Sequence, residues 1–264
     1  MSFSHTITGF SLVMILLFKF QSVHSQLQVG YYSNTCNLAE IVVKDEVMKA
    51  FYADTGVAAG LLRMHFHDCF VRSGGLGYDV PAGRRDGKVS LASEAVTNLP
   101  GPSSNLNQLT QIFASKGFTQ QEMVTLSGAH TIGRSHCTSF SSRLYNFNGI
   151  TGQDPSLDSM YAARLKQQCP QGNRNPSLVV PMNPFSPTVA DNSYYSDVLA
   201  RRGLFSSDQA LLSDATTASL VNQFARAPFL WTRMFADAMV KMGQIEVLTG
   251  NTGEIRANCS VINT

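Results

Sequence analysis

The sequence predicts an all-α fold, and three observations carry that prediction. Apolar residues recur at three- and four-residue spacing through several segments, many opened by Ser, Thr, Asp or Pro. Alternating runs of the strand type are scarce. The stretches between the periodic segments are rich in Gly, Pro and Asn, which mark turns rather than elements.

Taken in order, residues 1–25 read as a secretory signal. The apolar run Phe10–Phe18 is too short to span a bilayer, and Val23-His24-Ser25 offers a cleavage site that leaves Gln26 first. No Lys or Arg precedes the run, so a buried or interfacial helix is the alternative. Leu38 to Phe51 sets Leu38, Ile41, Val42, Met48 and Phe51 among charges, the pattern of an amphipathic helix. Gly56 and Gly60, ahead of Arg63, suit close helix packing. Ser73-Gly-Gly-Leu-Gly77 and Pro81-Ala-Gly-Arg-Arg-Asp-Gly87 are turn signals. Ser104 can cap a helix over Leu106, Leu109, Ile112 and Phe113 that ends at Gly117, and Thr119-Gln-Gln-Glu122 is a capping box for the next. A loop-rich section, 146–155, leads to a helix around Met160, Tyr161 and Leu165. The Pro-rich span 170–187 is expected to be mostly irregular. A helix over Tyr194, Tyr195, Val198 and Leu199 should end at Gly203. Asp214 caps one over Leu220, Val221 and Phe224, and Pro228 opens one that Gly243 stops.

Charge is near balance, with 20 Lys+Arg against 18 Asp+Glu, which gives no argument for a nucleic-acid or anionic-membrane partner. No segment after the leader is long and apolar enough to cross a bilayer. Five cysteines, Cys36, Cys69, Cys137, Cys169 and Cys259, fit no zinc spacing. In a secreted chain an odd count leaves at least one thiol unpaired.

One stretch carries candidate chemistry. In Arg63-Met-His-Phe-His-Asp-Cys-Phe-Val71, Arg63 and His67 stand four apart on one helix face, beside a row of Leu62, Phe66 and Phe70. A permanent cation beside a base that titrates near neutrality suits a bound molecule that loses a proton and then develops negative charge. Leu126-Ser-Gly-Ala-His-Thr-Ile-Gly133 and Gly203-Leu-Phe-Ser-Ser-Asp-Gln-Ala-Leu-Leu212 follow downstream. Together the three motifs resemble the secreted plant (class III) haem peroxidases, from about Gln26 to the C-terminus.

The resemblance implies a haem peroxidase-like helical fold over residues 26–264 and one haem b. His130 matches the ligand of the haem iron, and Asp208 the carboxylate partner that makes that imidazole more basic. On the open side His67 would move peroxide protons, Arg63 would stabilise developing charge, and Phe66 would pack by the haem. Pro100 matches the position beside the haem edge where small phenolic donors bind. Two calcium sites are implied. Thr131, Asn183, Ser186, the Val189 backbone and Asp191 match the proximal one, with Asn183 standing where the family usually has Asp: it offers an oxygen but removes a charge. Of the distal site only Asp68 and the Val71 backbone remain. The family pairing Cys137–Cys169 is expected, as is a monomer working in the cell wall or apoplast, with hydrogen peroxide and phenolic donors as its substrates.

The resemblance also implies a gap. After Arg72 the family has a segment of roughly sixty residues, several average helices, which is absent here. The distal half of the fold is thus truncated. The partners of Cys36, Cys69 and Cys259, the asparagine that orients the distal histidine, and the carboxylate that pairs with an arginine of Gly83-Arg-Arg-Asp86 go with it. Two readings follow: a peroxidase that reduces hydrogen peroxide and oxidises phenols by one-electron steps, in hydrogen peroxide removal and the response to oxidative stress, or a catalytically impaired or non-folding variant that is at most a weak haem binder.

Overall fold

A computed structural model describes residues 27–64, 79–89, 91, 93, 97–150, 152–173, 175–258 and 261–264, and the side chains of these except at 62–64. The expected leader, Phe66, His67, Asp68, Cys69, Val71, Cys259 and the turn at 73–77 lie outside the described residues. Within them the chain is helical, with one two-stranded sheet. No helix among them is long and apolar enough to cross a membrane.

The chain divides into two compact units. The smaller gathers the described residues of Met1–Asn37, Pro81–Ser90 and Val247–Thr264. It is held by isolated backbone bridges: Gln28 to Ala82, Arg85 to Leu248 and Asp86 to Glu254. Gly253 has φ +76°, and a Cβ there would stand 2.6 Å from the Asp86 carbonyl, so the last bridge needs a glycine. Arg84 donates to the Pro81 carbonyl at 2.7 Å. The Arg85 Nε is buried with no hydrogen-bond partner among the described residues. Cys36 is an exposed free thiol.

The larger unit holds the helices. α1 (Ala39–Ala53) and α2 (Gly56–Met64) come first. The amphipathic pattern of α1 is covered only in part: no residue of the helix is fully buried, Met48 and Phe51 are half-buried, and Ile41 and Val42 are 61% and 55% exposed. A Cβ on Gly56 would meet the Arg134 guanidinium at 2.8 Å, a close approach to a side chain rather than to a helix. The Gly60 position faces open space, so the expected tight packing there is not found among the described residues.

α3 (Leu106–Ser115) is capped by Asn105 and not by Ser104. Asn105 accepts from the Gln108 N–H while Gln108 reaches back to the Asn105 N–H, so the box saturates two free donors; Ser104 instead accepts from Gly101. α4 (Gln120–Ser127) opens on the expected Thr119–Glu122 box. β1 (Arg134–His136) pairs antiparallel with β2 (Val179–Pro181), Ser135 opposite Val180. β2 is a short regular piece in the span expected to be mostly irregular, and three residues are too few for a periodic signal. Between the two strands lie α5 (Ser141–Tyr145) and α6 (Ser159–Gln168), the latter capped by Asp158 on the Tyr161 N–H. The Cys137–Cys169 disulfide ties this region.

α7 (Ser193–Leu199) ends four residues before Gly203, where the sequence reading places its end. The left-handed residue is Arg201, φ +60°, a conformation that favours glycine but is held here by tertiary contacts. α8 (Ser206–Gln209) follows, then α9 (Ala215–Arg226), capped by Asp214 on two N–H groups, and α10 (Pro228–Met242). Leu109, Val124, Tyr195, Val198, Val221, Phe224 and Trp231 form the main core among α3, α4, α7, α9 and α10. A second core packs Phe140, Leu144, Tyr161, Leu165, Val180 and Leu204 around the disulfide.

Candidate active site

The site is built where α4 ends. Its last turn tightens into a 3-10 segment, Gly128–Thr131, that carries His130. Gly128 is buried, and a Cβ on it would stand 2.6 Å from both the Trp231 Nε1 and the Tyr195 hydroxyl. Those two groups donate to the Thr125 carbonyl, at 3.2 and 3.0 Å, which fixes the end of α4. Only a glycine lets the chain pass so close to them.

His130 Nδ1 lies 2.7 Å from Asp208 Oδ1, 78 residues on. The carboxylate also accepts from the Tyr194 hydroxyl at 3.1 Å and from the Phe205 N–H at 2.8 Å. With all its close neighbours donors, Asp208 is an acceptor, so Nδ1 carries a proton, and in the neutral ring Nε2 keeps its lone pair. The His130 side chain is 39% exposed, and Asp208 is 2% exposed. The ring meets Phe205 and Tyr194 edge to face, with centroids 5.3 and 6.1 Å away.

Burial alone would raise Asp208, but the His130 charge and hydrogen bonds from His130, Phe205 and Tyr194 outweigh it and hold the carboxyl below its usual range. Burial would likewise lower His130, and Asp208 more than offsets that, leaving the imidazole above its ordinary value. Burial and the Asp208 charge push Tyr194 well up, so its hydroxyl stays a donor.

Three supports of this pair gave no signal in the sequence. Arg143, 1% exposed, donates from Nη1 to the carbonyls of Gly203 and Leu204, at 2.6 and 2.9 Å. Its Nε donates to Asp154 at 2.7 Å, and Nη2 to the Ser156 hydroxyl at 3.3 Å. It thereby fixes the turn that delivers Asp208. Tyr194 reads as one member of an apolar helix stripe, with nothing to show where its hydroxyl points. Gly203 reads as a helix stop, whereas a Cβ there would stand 2.9 Å from the Asp208 Cβ. Its use is to let Asp208 approach.

Beside His130, Thr131 donates to Asp191 Oδ1 at 3.0 Å and lies 3.5 Å from the Val189 carbonyl. Ser186 donates to Asp191 Oδ2 at 3.3 Å. Asn183, 1% exposed, joins the same cluster: its Nδ2 donates to the hydroxyls of Ser186 and Ser193. All five expected proximal residues thus meet. The Asn183 oxygen, however, is taken by the N–H groups of Phe185 and Ser186, at 2.9 and 3.1 Å.

Pro100 is half-buried in a segment tied to α8, where the Ser207 N–H donates to the Pro102 carbonyl at 3.0 Å. Arg63 lies on α2, with only its backbone described, and His67 and Phe66 fall outside the described residues, as do Asp68 and Val71.

A sequence model of the family described as Peroxidase matches residues 71–227, more than half of the chain. The chain belongs to the peroxidase family. Among plant peroxidases it is 53% identical to Peroxidase 5 of Vitis vinifera over 327 aligned positions, covering 99% of each chain. It is 40% identical to Peroxidase 3 of Arabidopsis thaliana, over 92% of this chain and 94% of the relative. Peroxidase 1 of Zea mays is 37% identical over 92% of this chain and 84% of its own. A chain of 264 residues cannot fill 327 positions, so at least 63 of them, the difference, have no counterpart in this peroxidase. His130 and Asp208 fall inside the matched segment, and Arg63 and His67 precede it. Membership makes the protein a peroxidase enzyme, and the family implies haem and calcium in general.

Proposed function

We propose that residues 26–264 form one secreted peroxidase domain that binds haem b through His130, reduces hydrogen peroxide and oxidises small phenolic donors one electron at a time. The single observation that carries this reading is the 2.7 Å contact between His130 and a buried Asp208 in a chain of the peroxidase family. Haem, when bound, supplies a redox-active iron that accepts oxidising equivalents from peroxide and passes them on singly.

The residues present fit that group. His130 offers iron a bare Nε2, and Asp208, holding Nδ1–H, makes the imidazole a stronger donor and fixes its plane. Phe205 and Tyr194 limit rotation of the ring. On the peroxide side His67 takes the proton from the near oxygen and returns it to the leaving oxygen, which departs as water. Arg63 stabilises the negative charge that develops as the O–O bond breaks. Phe66 limits access, and Pro100 borders the donor position. Each phenol gives up one electron and one proton. By the same family likeness the donors are small phenols and the protein works as a monomer outside the cell, in the wall or apoplast.

The test is reconstitution of the refolded chain with haemin. A five-coordinate ferric spectrum with guaiacol turnover is expected, and His130→Ala should lose both. A parent chain with a free-haem spectrum and no turnover, or a His130→Ala variant that keeps the parent spectrum, overturns the reading.

A further inference from the structure

The hydrogen-bond cluster behind His130 has a feature that the family's calcium chemistry does not accommodate. Calcium takes six to eight oxygen ligands and repels N–H hydrogens. Asn183 presents N–H hydrogens. Its orientation follows from its neighbours, because the two backbone N–H groups of Phe185 and Ser186 have only hydrogens to offer and so must face the oxygen. The amide nitrogen is then turned onto the hydroxyls of Ser186 and Ser193. Both hydroxyls pass the donation on: Ser186 Oγ to Asp191 Oδ2, and Ser193 Oγ to Asp191 Oδ1. The Ser193 N–H at 2.9 Å and the Thr131 hydroxyl at 3.0 Å complete the donors to the same carboxylate.

We infer that the Asn183 amide takes the place of a cation in this peroxidase, so that Thr131, Ser186, Ser193 and Asp191 are held by hydrogen bonds alone and no divalent ion binds there. A relay of two N–H groups through two hydroxyls delivers partial positive charge to Asp191 from a neutral group. The charge count agrees, since Asp191 is the one carboxylate in the cluster and calcium affinity rises with ligand charge. The cluster runs straight into His130 through Thr131, so the imidazole's backbone is anchored without a metal. This inference goes beyond the haem reading and does not depend on turnover.

Calcium binding to the refolded chain tests it, by titration calorimetry and by thermal melts in Ca²⁺ and in EGTA. Asn183→Asp should add one bound Ca²⁺ per chain over the parent, with Kd below about 1 mM, and its melt should fall in EGTA and recover in Ca²⁺. Asp191→Asn in the parent should leave the calcium stoichiometry unchanged, which separates this cluster from any ion held elsewhere. The inference is overturned if Asp191→Asn removes one bound Ca²⁺ from the parent, or if Asn183→Asp folds and adds none. Should Asn183→Asp refold only in calcium, the metal has replaced the amide, as the inference requires.

Discussion

A single contact, His130 to Asp208, carries the proposed haem reading, and it can be probed one residue at a time. Asp208→Asn keeps the shape but offers a neutral oxygen or an N–H to Nδ1. Changes to such partners of metal-binding histidines typically cost about 10- to 100-fold in affinity or activity. We therefore expect haemin titration of Asp208→Asn to show affinity lower by about that factor, or turnover lower by it at full loading. Unchanged affinity and turnover would separate the pair from cofactor binding. Both members of the pair stand inside recognisable motifs, so they were legible in the chain. The roles of Tyr194, Gly128 and Gly203 were not, because a hydroxyl's target and an absent Cβ's clash exist only once the intervening chain has folded back.

At the scale of elements, capping sorted true helix starts from false ones. Thr119, Asp158 and Asp214 each accept from backbone N–H groups at their helix starts, whereas Ser104 turns back to Gly101. Asp214→Ala should cost about 1 kcal/mol, read as a shift in urea midpoint, while Ser104→Ala should cost less than half of that at the α3 start. Equal losses would mean that Ser104 does cap. The sequence reading placed the cap at Ser104, and the structure gives it to Asn105, whose box Gln108 closes. The end of α7 was misplaced for a related reason. Gly203 is the usual stop residue, yet Arg202 N–H donates to the Asp197 carbonyl and Arg201 takes the left-handed turn. Local sequence cannot weigh those longer bonds against propensity.

For the molecule as a whole, acid should act through Arg143 and Asp154, both 2% exposed. Burial raises Asp154, but Ser156 and Arg143 hold it below its ordinary value. Its stabilising effect is therefore full above the usual carboxylate range and lost as pH falls through the depressed folded value. Thermal melts of Asp154→Asn should lie furthest below the parent near neutrality, and the gap should narrow in acid. A gap that does not change with pH would remove the charge from the account. The pair ties α5 to the turn before Asp208, so this loss should reach the site. Elsewhere the apolar stripe of α1 is covered only in part: Met48 and Phe51 are half-buried, while Ile41 and Val42 are exposed.

The chain by itself determined the helical class, most helix starts and the family, and the family's motifs pointed to His130 and Asp208 as candidates. Each rests on local spacing or on a contiguous motif, and such signals survive without a fold. The family resemblance grouped Thr131, Asn183, Ser186, Val189 and Asp191, and the structure brings them together. Tertiary structure alone decided which atoms those residues present. Asn183 reads equally as a weak oxygen ligand or as a donor, and two backbone N–H groups settle it by claiming the oxygen. The same holds for Arg143, whose burial against two carbonyls and a carboxylate makes a surface-type residue the prop of the site. Orientation and desolvation are properties of packed neighbours, and a linear sequence does not record its neighbours.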